Sequence, residues 1–429
     1  MDETFERLRV LWPDHLGLAR GKYVPMRLAD RGVRHCSGLW ALGYNREMTP
    51  GTPGSGFFDG LPDFDATYDV GDIRPGWEPG TSIVIADLEV HGAPLEVSPR
   101  AALKQAIAQW QALGYSPKVG VELEAYFLSP DGHGGWVPLD TPGAFVYGTG
   151  PMVDPVGIID ELWREADRVG LPLESVNSEY DTPQFEFTLE YSDALSSIDN
   201  VFLFKTMARE VTQRMGLLCT FLGKPLGDRG GSGTHFNLSF EAADGANAIH
   251  DAADPDGLSM LARQCIAGLI EHHEALAGIC APTVNAYKRL RPASLSGYWA
   301  NWGFDHRGAT IRIPPERGRA SRLEHRLADG AAPVHVAGAA VLQAARLGVV
   351  GKLVAPPAET GDGLERVDTT RHTPHDLGAA LDAFEADHVL TEALGSMLAA
   401  QHLAVKRTEW DRFCAATTDW ELREYLPFL

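Results

Sequence analysis

The sequence predicts an α+β fold, a small strand-rich N-terminal region followed by a larger unit whose acid- and base-bearing strands are clothed by helices. Three observations predict it. Residues up to 97 read as short strands and turns; beyond them, runs with a period of two alternate with runs of helical period; and the chemically interesting carboxylates fall in β-prone runs, not in helical charge stripes. At 429 residues and 44% hydrophobic, the chain can bury a substantial core in one large or two unequal domains.

In order, ERLRVLWPD reads as a strand, MTPGTPGSGFFDGLPDFD as a Gly/Pro-rich connection and SIVIADLEV as one strand. Ser98-Pro99-Arg100 opens a helix over AALKQAIAQWQALG, with proline at its start and Gly114 as its stop. A boundary there divides the chain into residues 1–97 and 98–429. VGVELEAYFL is a strand, VGIIDELWREADRVG a helix, SEYDTPQFEFTLEY a strand and SIDNVFLFKTMAREVTQRMG a longer helix. GSGTHFNLSF, ATIRIPP and SRLEHRLAD read as further strands. LSMLARQCIAGLIEHHEALAGI reads as one amphipathic helix, and Thr373-Pro374-His375-Asp376 as a capping-box start to a C-terminal helical region.

With 37 Lys+Arg against 58 Asp+Glu the formal charge is -21, which disfavours nucleic acid or an anionic membrane as partner and leaves many carboxylates able to hold cations. Solubility accounts for most of them. Five cysteines without CxxC spacing suggest neither a disulfide framework nor a thiolate metal site, and fit a reducing cytoplasm. MDETFERLRV lacks a signal-peptide profile, and the longest apolar run, VHVAGAAVLQAARLGVV, is interrupted by His335, Gln343 and Arg346 and reads as a core helix.

The period of a strand points Glu122 and Glu124 to one side, where like charges repel unless water or a cation intervenes. Glu179 and Glu186 flank SEYDTPQFE, His235 and Asn237 alternate in THFN, and Glu324 lies between arginines in RLEHR. Singly, each is explained as a solvated or structural residue. Together, five carboxylates and one imidazole on strands suit two or more Mg²⁺ or Mn²⁺ ions, which would also relieve the repulsion. Arg289, Arg307, Arg312, Arg319, Arg322 and Arg326 add guanidinium groups that match carboxylate and phosphate oxygens, so the set suits phosphoryl transfer. Two decoys are set aside. EHHEALAG lacks HExxH spacing, and GDRGGSGTH has no GK[ST] ending and leads into a strand, so Gly230, Gly231 and Gly233 read as close backbone approach to a ligand.

VGVELEAYFL, SEYDTPQFEFTL, GKPLGDRGGSGTHFNLS, NAYKRLRP, HRGATIRIP and RLEHR, in this order and rough spacing, resemble the glutamine synthetase family in its bacterial class. DHLGLARGKYVP and EWDRFCAATTDWELREYL extend the resemblance to nearly the whole chain. It implies a small N-terminal β-grasp domain, then a catalytic domain with a curved antiparallel sheet and surrounding helices, assembled as a double hexameric ring with sites between subunits. By motif, Glu124, Glu179 and Glu186 would hold one ion, and Glu122, His235 and Glu324 the other. Arg289 and Arg326, with the Gly231 backbone, would bind the glutamate carboxylates; Glu174, Asn237, Ser239, Arg307, Arg312, Arg319 and Arg322 would serve ATP. Glu324, Arg307 and Arg326 carry the catalytic roles, Arg307 also touching substrate. The implied reaction forms an acyl phosphate from ATP and then an amide from an amine.

Departures from the family pattern bear on the amine. Where ammonia-using members carry a flap glutamate, RPASLSG places Leu295, and SGLWALGYN replaces the segment that supplies an ammonium-binding aspartate. Asn237 stands where a phosphate-binding histidine is usual, Gly230 where an asparagine is, and APVHV replaces NPYL. A cation without an anionic cradle meets the full cost of desolvation. Leu295, with Trp40, Trp299 or Trp302, is therefore expected to line a pocket for an organic amine, as in the γ-glutamyl-amine ligases of this family, and an apolar or monofunctional amine fits better than a polyamine. A catalytically silent relative and an ordinary ammonium-using enzyme are the alternatives.

Overall fold

The computed structural model describes residues 5–364 and 366–429. Near the N-terminus, β1 (Arg7–Pro13), β2 (Ala19–Pro25), β3 (Val33–Cys36), β4 (Asp63–Thr67), β5 (Arg74–Pro75), β6 (Thr81–Ile85), β7 (Asp87–Val90) and β8 (Ala93–Pro94) form two small sheets, ordered β2-β1-β6-β5 and β3-β4-β7-β8. SIVIADLEV is thus two strands, not one: the chain leaves the first sheet at Ala86 and enters the second. Trp12, Trp40 and Phe64 are buried together with Leu8, Val10 and Leu88 in a core of their own.

The larger sheet runs β11 (Leu173–Ser178), β12 (Gln184–Asp193), β9 (Tyr115–Pro130), β14 (Thr234–Ala242), β17 (Leu323–His325), β16 (Ile311–Ile313), β15 (Trp302–Phe304), with β10 (Trp136–Pro138) and β13 (Leu218–Thr220) also pairing β9. Neighbours are antiparallel except β15 and β16, which run parallel, so the expected antiparallel sheet is mixed at one edge. One face of β9 presents Val119, Val121, Leu123, Ala125 and Phe127, all buried in the main core. The other presents Gly120, Glu122 and Glu124, which is what a period of two dictates.

Helices cover the apolar face. In α1 (Pro99–Ala112), the Ser98 side chain accepts from the Ala101 amide and proline occupies the first turn, as the sequence indicates; Trp110 donates from Nε1 to the Leu342 carbonyl at 2.9 Å and stacks on Phe240. The chain continues through α2 (Ile158–Val169), α3 (Ala194–Arg214), α4 (Met260–Glu271), α5 (His273–Cys280) and the almost wholly buried α6 (Val334–Val350). The expected single helix over residues 258–279 is therefore two, broken at His272. His272 faces the Asp387 carboxylate and His273 the Tyr298 carbonyl, so this histidine pair is structural. Among the described residues, no helix is long and apolar enough to cross a membrane.

The last part comprises α7 (Leu377–Ala386), α8 (His388–Leu394), α9 (Ser396–Ala415) and α10 (Asp419–Tyr425). Asp376, not Thr373, caps α7, accepting from the Ala379 amide; Thr373 is buried without a side-chain partner, so the expected capping box is absent. A capping box occurs instead at Thr418 and Glu421. The N-terminal sheets are tied down at several points. Arg9 forks onto Glu210 at 2.7 and 2.8 Å, Arg100 bridges Asp87 and Asp199, and Gln401 donates to the Trp40 carbonyl at 2.6 Å.

Candidate active site

Strand register assembles the polar face in rows. Glu186 lies across from Glu124, Thr188 and His235 flank Glu122, and Gly120, Asn237, Glu324 and Arg312 continue a third row over β9, β14, β17 and β16. Glu179 is the exception to the strand expectation, because it follows β11 in the turn before β12; Asn177 donates to its Oε1 at 3.2 Å. The Glu179 amide donates to the Gln184 carbonyl at 2.9 Å, which holds this turn against the start of β12.

His235 is the hinge between two acid groups. Its Nδ1 is 3.1 Å from Glu122 and 3.6 Å from Glu324, and its Nε2 is 3.8 Å from Glu124. Ligand atoms of Glu122, His235 and Glu324 all lie within 4.8 Å of one another, and so do those of Glu124, Glu186 and His235. Oxygen donors with one imidazole are a donor set for hard or borderline divalent ions.

The electrostatics point the same way. Burial, and then the charges of Glu122, Glu124 and Glu179, push the Glu186 carboxyl up to about 8. Burial and Glu124 raise Glu179 as well. For Glu122, burial works upward but is outweighed by the hydrogen bonds from His235 and Asn237 and by the Arg326 charge, so this carboxyl titrates low. The polypeptide alone thus relieves its crowded acids by keeping a proton, and a divalent cation relieves the same repulsion without one.

Each arginine has a definite place. Arg326 Nη1 pairs with Glu324, and Nη2 donates to the Leu295 carbonyl at 3.2 Å. Arg289 is buried and donates to the carbonyls of Leu327 and Arg326. Arg312 bridges Glu324 at 2.7 Å and Asp305 at 2.6 Å. Arg322 donates from Nε to Asn237 Oδ1 at 3.2 Å and pairs with Glu316. Arg307 is exposed in the turn between β15 and β16. A Cβ on Gly231 would lie 2.6 Å from Arg289 Cγ, and one on Gly233 2.9 Å from His235 Nε2, so both glycines are required by close approach.

Glu174, Asn237, Ser239, Arg319 and Arg322 line one cavity of about 320 Å³ beside Glu122. Two further lining residues, Thr188 and Tyr191, carried no distinguishing signal in the sequence. Gln184 was missed too, although its alternation with Glu186 puts it on the same face. A larger cavity of about 630 Å³, between β7, α1 and the start of α9, contains none of the expected site residues.

Leu295 is exposed beside Arg326. Trp40 contradicts its expected place in an amine pocket: it is fully buried in the N-terminal core against Trp12 and Phe64. Trp302 is buried with Nε1 on the Pro356 carbonyl, and Trp299 packs edge-on to Tyr298 and His372.

Residues 96–425 match the family described as glutamine synthetase, catalytic domain. Over 439 residues the chain is 33% identical to the glutamate–methylamine ligase of Methyloversatilis universalis, covering 95% of this chain and 96% of that protein. It is 31% identical over 445 residues to the glutamine synthetase of Methanocaldococcus jannaschii, covering 98% and 95% respectively. Among solved structures, the ADP complex of GmaS is similar with a TM-score of 0.86 at 30% identity, covering 99% of this chain and 98% of that one.

Proposed function

The chain belongs to the glutamine synthetase family, and from that premise we propose that it is an ATP-dependent ligase joining the γ-carboxylate of glutamate to an organic amine. A carboxylate oxygen of the acid attacks the γ-phosphorus of ATP, and the bond to ADP breaks. The amine nitrogen then attacks the acyl carbon, phosphate leaves with the C–O electron pair, and the nitrogen loses a proton to give the amide.

Glu124, Glu179 and Glu186 would hold one Mg²⁺ or Mn²⁺ ion, and Glu122, His235 and Glu324 a second; when bound, these supply charge neutralisation at the acid and at the transferring phosphoryl group. The side chains carry the remaining work. Arg289 and Arg326, with the Gly231 backbone, orient the acid. Arg307 and Arg312 face developing phosphate charge, and Glu174, Asn237, Ser239, Arg319 and Arg322 hold the nucleotide in the cavity beside Glu122. Positioned guanidinium groups act where charge builds up, and that is most of what phosphoryl transfer requires.

The observation that carries the choice of amine is Leu295 at the flap position, exposed beside Arg326, in a chain similar to a glutamate–methylamine ligase. An apolar side chain there favours a small organic amine over ammonium. Similarity to several glutamine synthetases favours the second reading, ordinary glutamine synthesis. ADP release with glutamate, Mg²⁺ or Mn²⁺ and a panel of ammonium, alkylamines, ethanolamine, anilines and polyamines decides between them. Fastest turnover with ammonium would overturn the organic-amine reading, and no metal-dependent ATP binding would favour a silent relative. The assembly we propose is a double hexameric ring in the cytoplasm, built from two domains that meet at residue 97; light scattering on the purified chain tests its mass.

A further inference from the structure

Gln184 is 4% exposed, neutral and silent in the chemistry above, yet it touches three parts of the site at once. The two N–H groups of its Nε2 are shared among three acceptors, Glu124 Oε2 at 3.3 Å, the Gly231 carbonyl at 2.9 Å and Ser232 Oγ at 3.2 Å. Its backbone carbonyl accepts from the Glu179 amide at 2.9 Å. The Gly233 amide also donates to Glu124 Oε2, at 2.8 Å. Two donors therefore occupy one oxygen of Glu124, which fixes the plane of the carboxylate and leaves Oε1 as the oxygen nearer His235, 3.8 Å from Nε2.

We propose that Gln184 is a positioning residue that sets Glu124 as a one-oxygen ligand for a divalent cation and locks the Gly231 loop and the Glu179 turn to it. The role rests on the metal reading above. An amide suits it better than any charged group. It donates without adding negative charge to a cluster already short of cations, and its reach from β12 spans the gap to the glycine loop. Groups that orient a metal ligand typically change affinity by about 10- to 100-fold when removed.

The test uses the full-length chain with Gln184→Ala and the isosteric Gln184→Glu, Mn²⁺ titrations by calorimetry without substrates, melting curves in EDTA, and steady-state kinetics. The expected result is Mn²⁺ binding about 10- to 100-fold weaker at one of two sites, with the other site retained. KM for the acid substrate rises while KM for ATP is unchanged. Gln184→Glu, which keeps the shape but turns an acceptor toward Glu124 and the Gly231 carbonyl, shows the same selective loss together with a lower melting temperature in EDTA, because it adds an acid to the crowded cluster. Parallel weakening at both sites in proportion to a fall in melting temperature would reduce Gln184 to a structural residue and overturn the proposal. Unchanged Mn²⁺ binding by both variants would overturn it alone. Absence of Mn²⁺ binding by the unaltered chain would overturn the metal reading along with it.

Discussion

Glu186 stands directly across the β12–β9 ladder from Glu124, so two carboxylates occupy one cross-strand pair on the same face of the sheet. Like charges opposed in this way destabilise a sheet unless one is neutralised. The cluster does so by raising Glu186 to about 8, through burial and its acidic neighbours.

A pH dependence follows for the metal-free chain. The unfolded value of a glutamate is about 4.3, so the folded form keeps this proton when the unfolded form has lost it. The contribution is complete below the unfolded value and is lost as pH rises towards 8. In EDTA, the melting temperature should fall over that window. Saturating Mn²⁺ should remove the slope, and its stabilising increment should be greater at pH 8 than at pH 6. An equal increment at both would separate Glu186 from cation binding.

Glu324→Gln tests the centre of the site. Glu324 accepts from both Arg312 and Arg326, and an amide oxygen keeps only part of that network. ADP release should drop by about 10²–10³-fold, with circular dichroism showing an intact fold. Undiminished turnover would remove Glu324 from the reaction.

Gly231→Ala probes acid binding through sterics. The added Cβ would meet Arg289 Cγ at 2.6 Å and the Gly223 carbonyl at 2.7 Å, so the buried guanidinium or the loop must shift. KM for glutamate should rise by about tenfold or more, on the scale of a misplaced binding group, while nucleotide affinity holds. The two constants are read from the same steady-state series.

Leu295→Glu restores a carboxylate at the flap. Leu295 is exposed, so stability should change by about 0.5 kcal/mol or less. The ratio of ammonium to organic-amine turnover should rise by about tenfold. A ratio that does not move would mean that amine choice lies elsewhere in the pocket.

Trp110→Ala addresses the scaffold. It removes the Phe240 stack, at 4.0 Å between centroids, and the bond to the Leu342 carbonyl that links α1 to α6. A buried tryptophan truncation costs about 3–5 kcal/mol, which a lowered urea midpoint would report. KM values of the folded fraction should stay unchanged.

Much of this architecture was legible because short-range rules decide it. The period of two in VELEAYF assigns Glu122 and Glu124 to one face, and Ser98-Pro99 opens α1 as expected. The break at His272 was not legible, since both halves remain apolar and helical, and what divides them is the packing of two histidines against Tyr298 and Asp387. Trp40 was misplaced for the same reason: burial of an aromatic ring is settled by distant partners such as Phe64. Gln184 escaped because a charge search passes over an amide. At the site, which acids share a face could be read from the chain, whereas the rows that join them depend on pairing between distant strands.

The bond from Gln401 to the Trp40 carbonyl spans 361 residues. A ribosome adding about 5–20 residues per second needs roughly 20–70 s to cover that interval. Through all of it the Trp40 carbonyl lacks this partner and is left to water. The N-terminal sheets are therefore synthesised well before α9, the helix whose Gln401 completes this hydrogen bond, can pack against them.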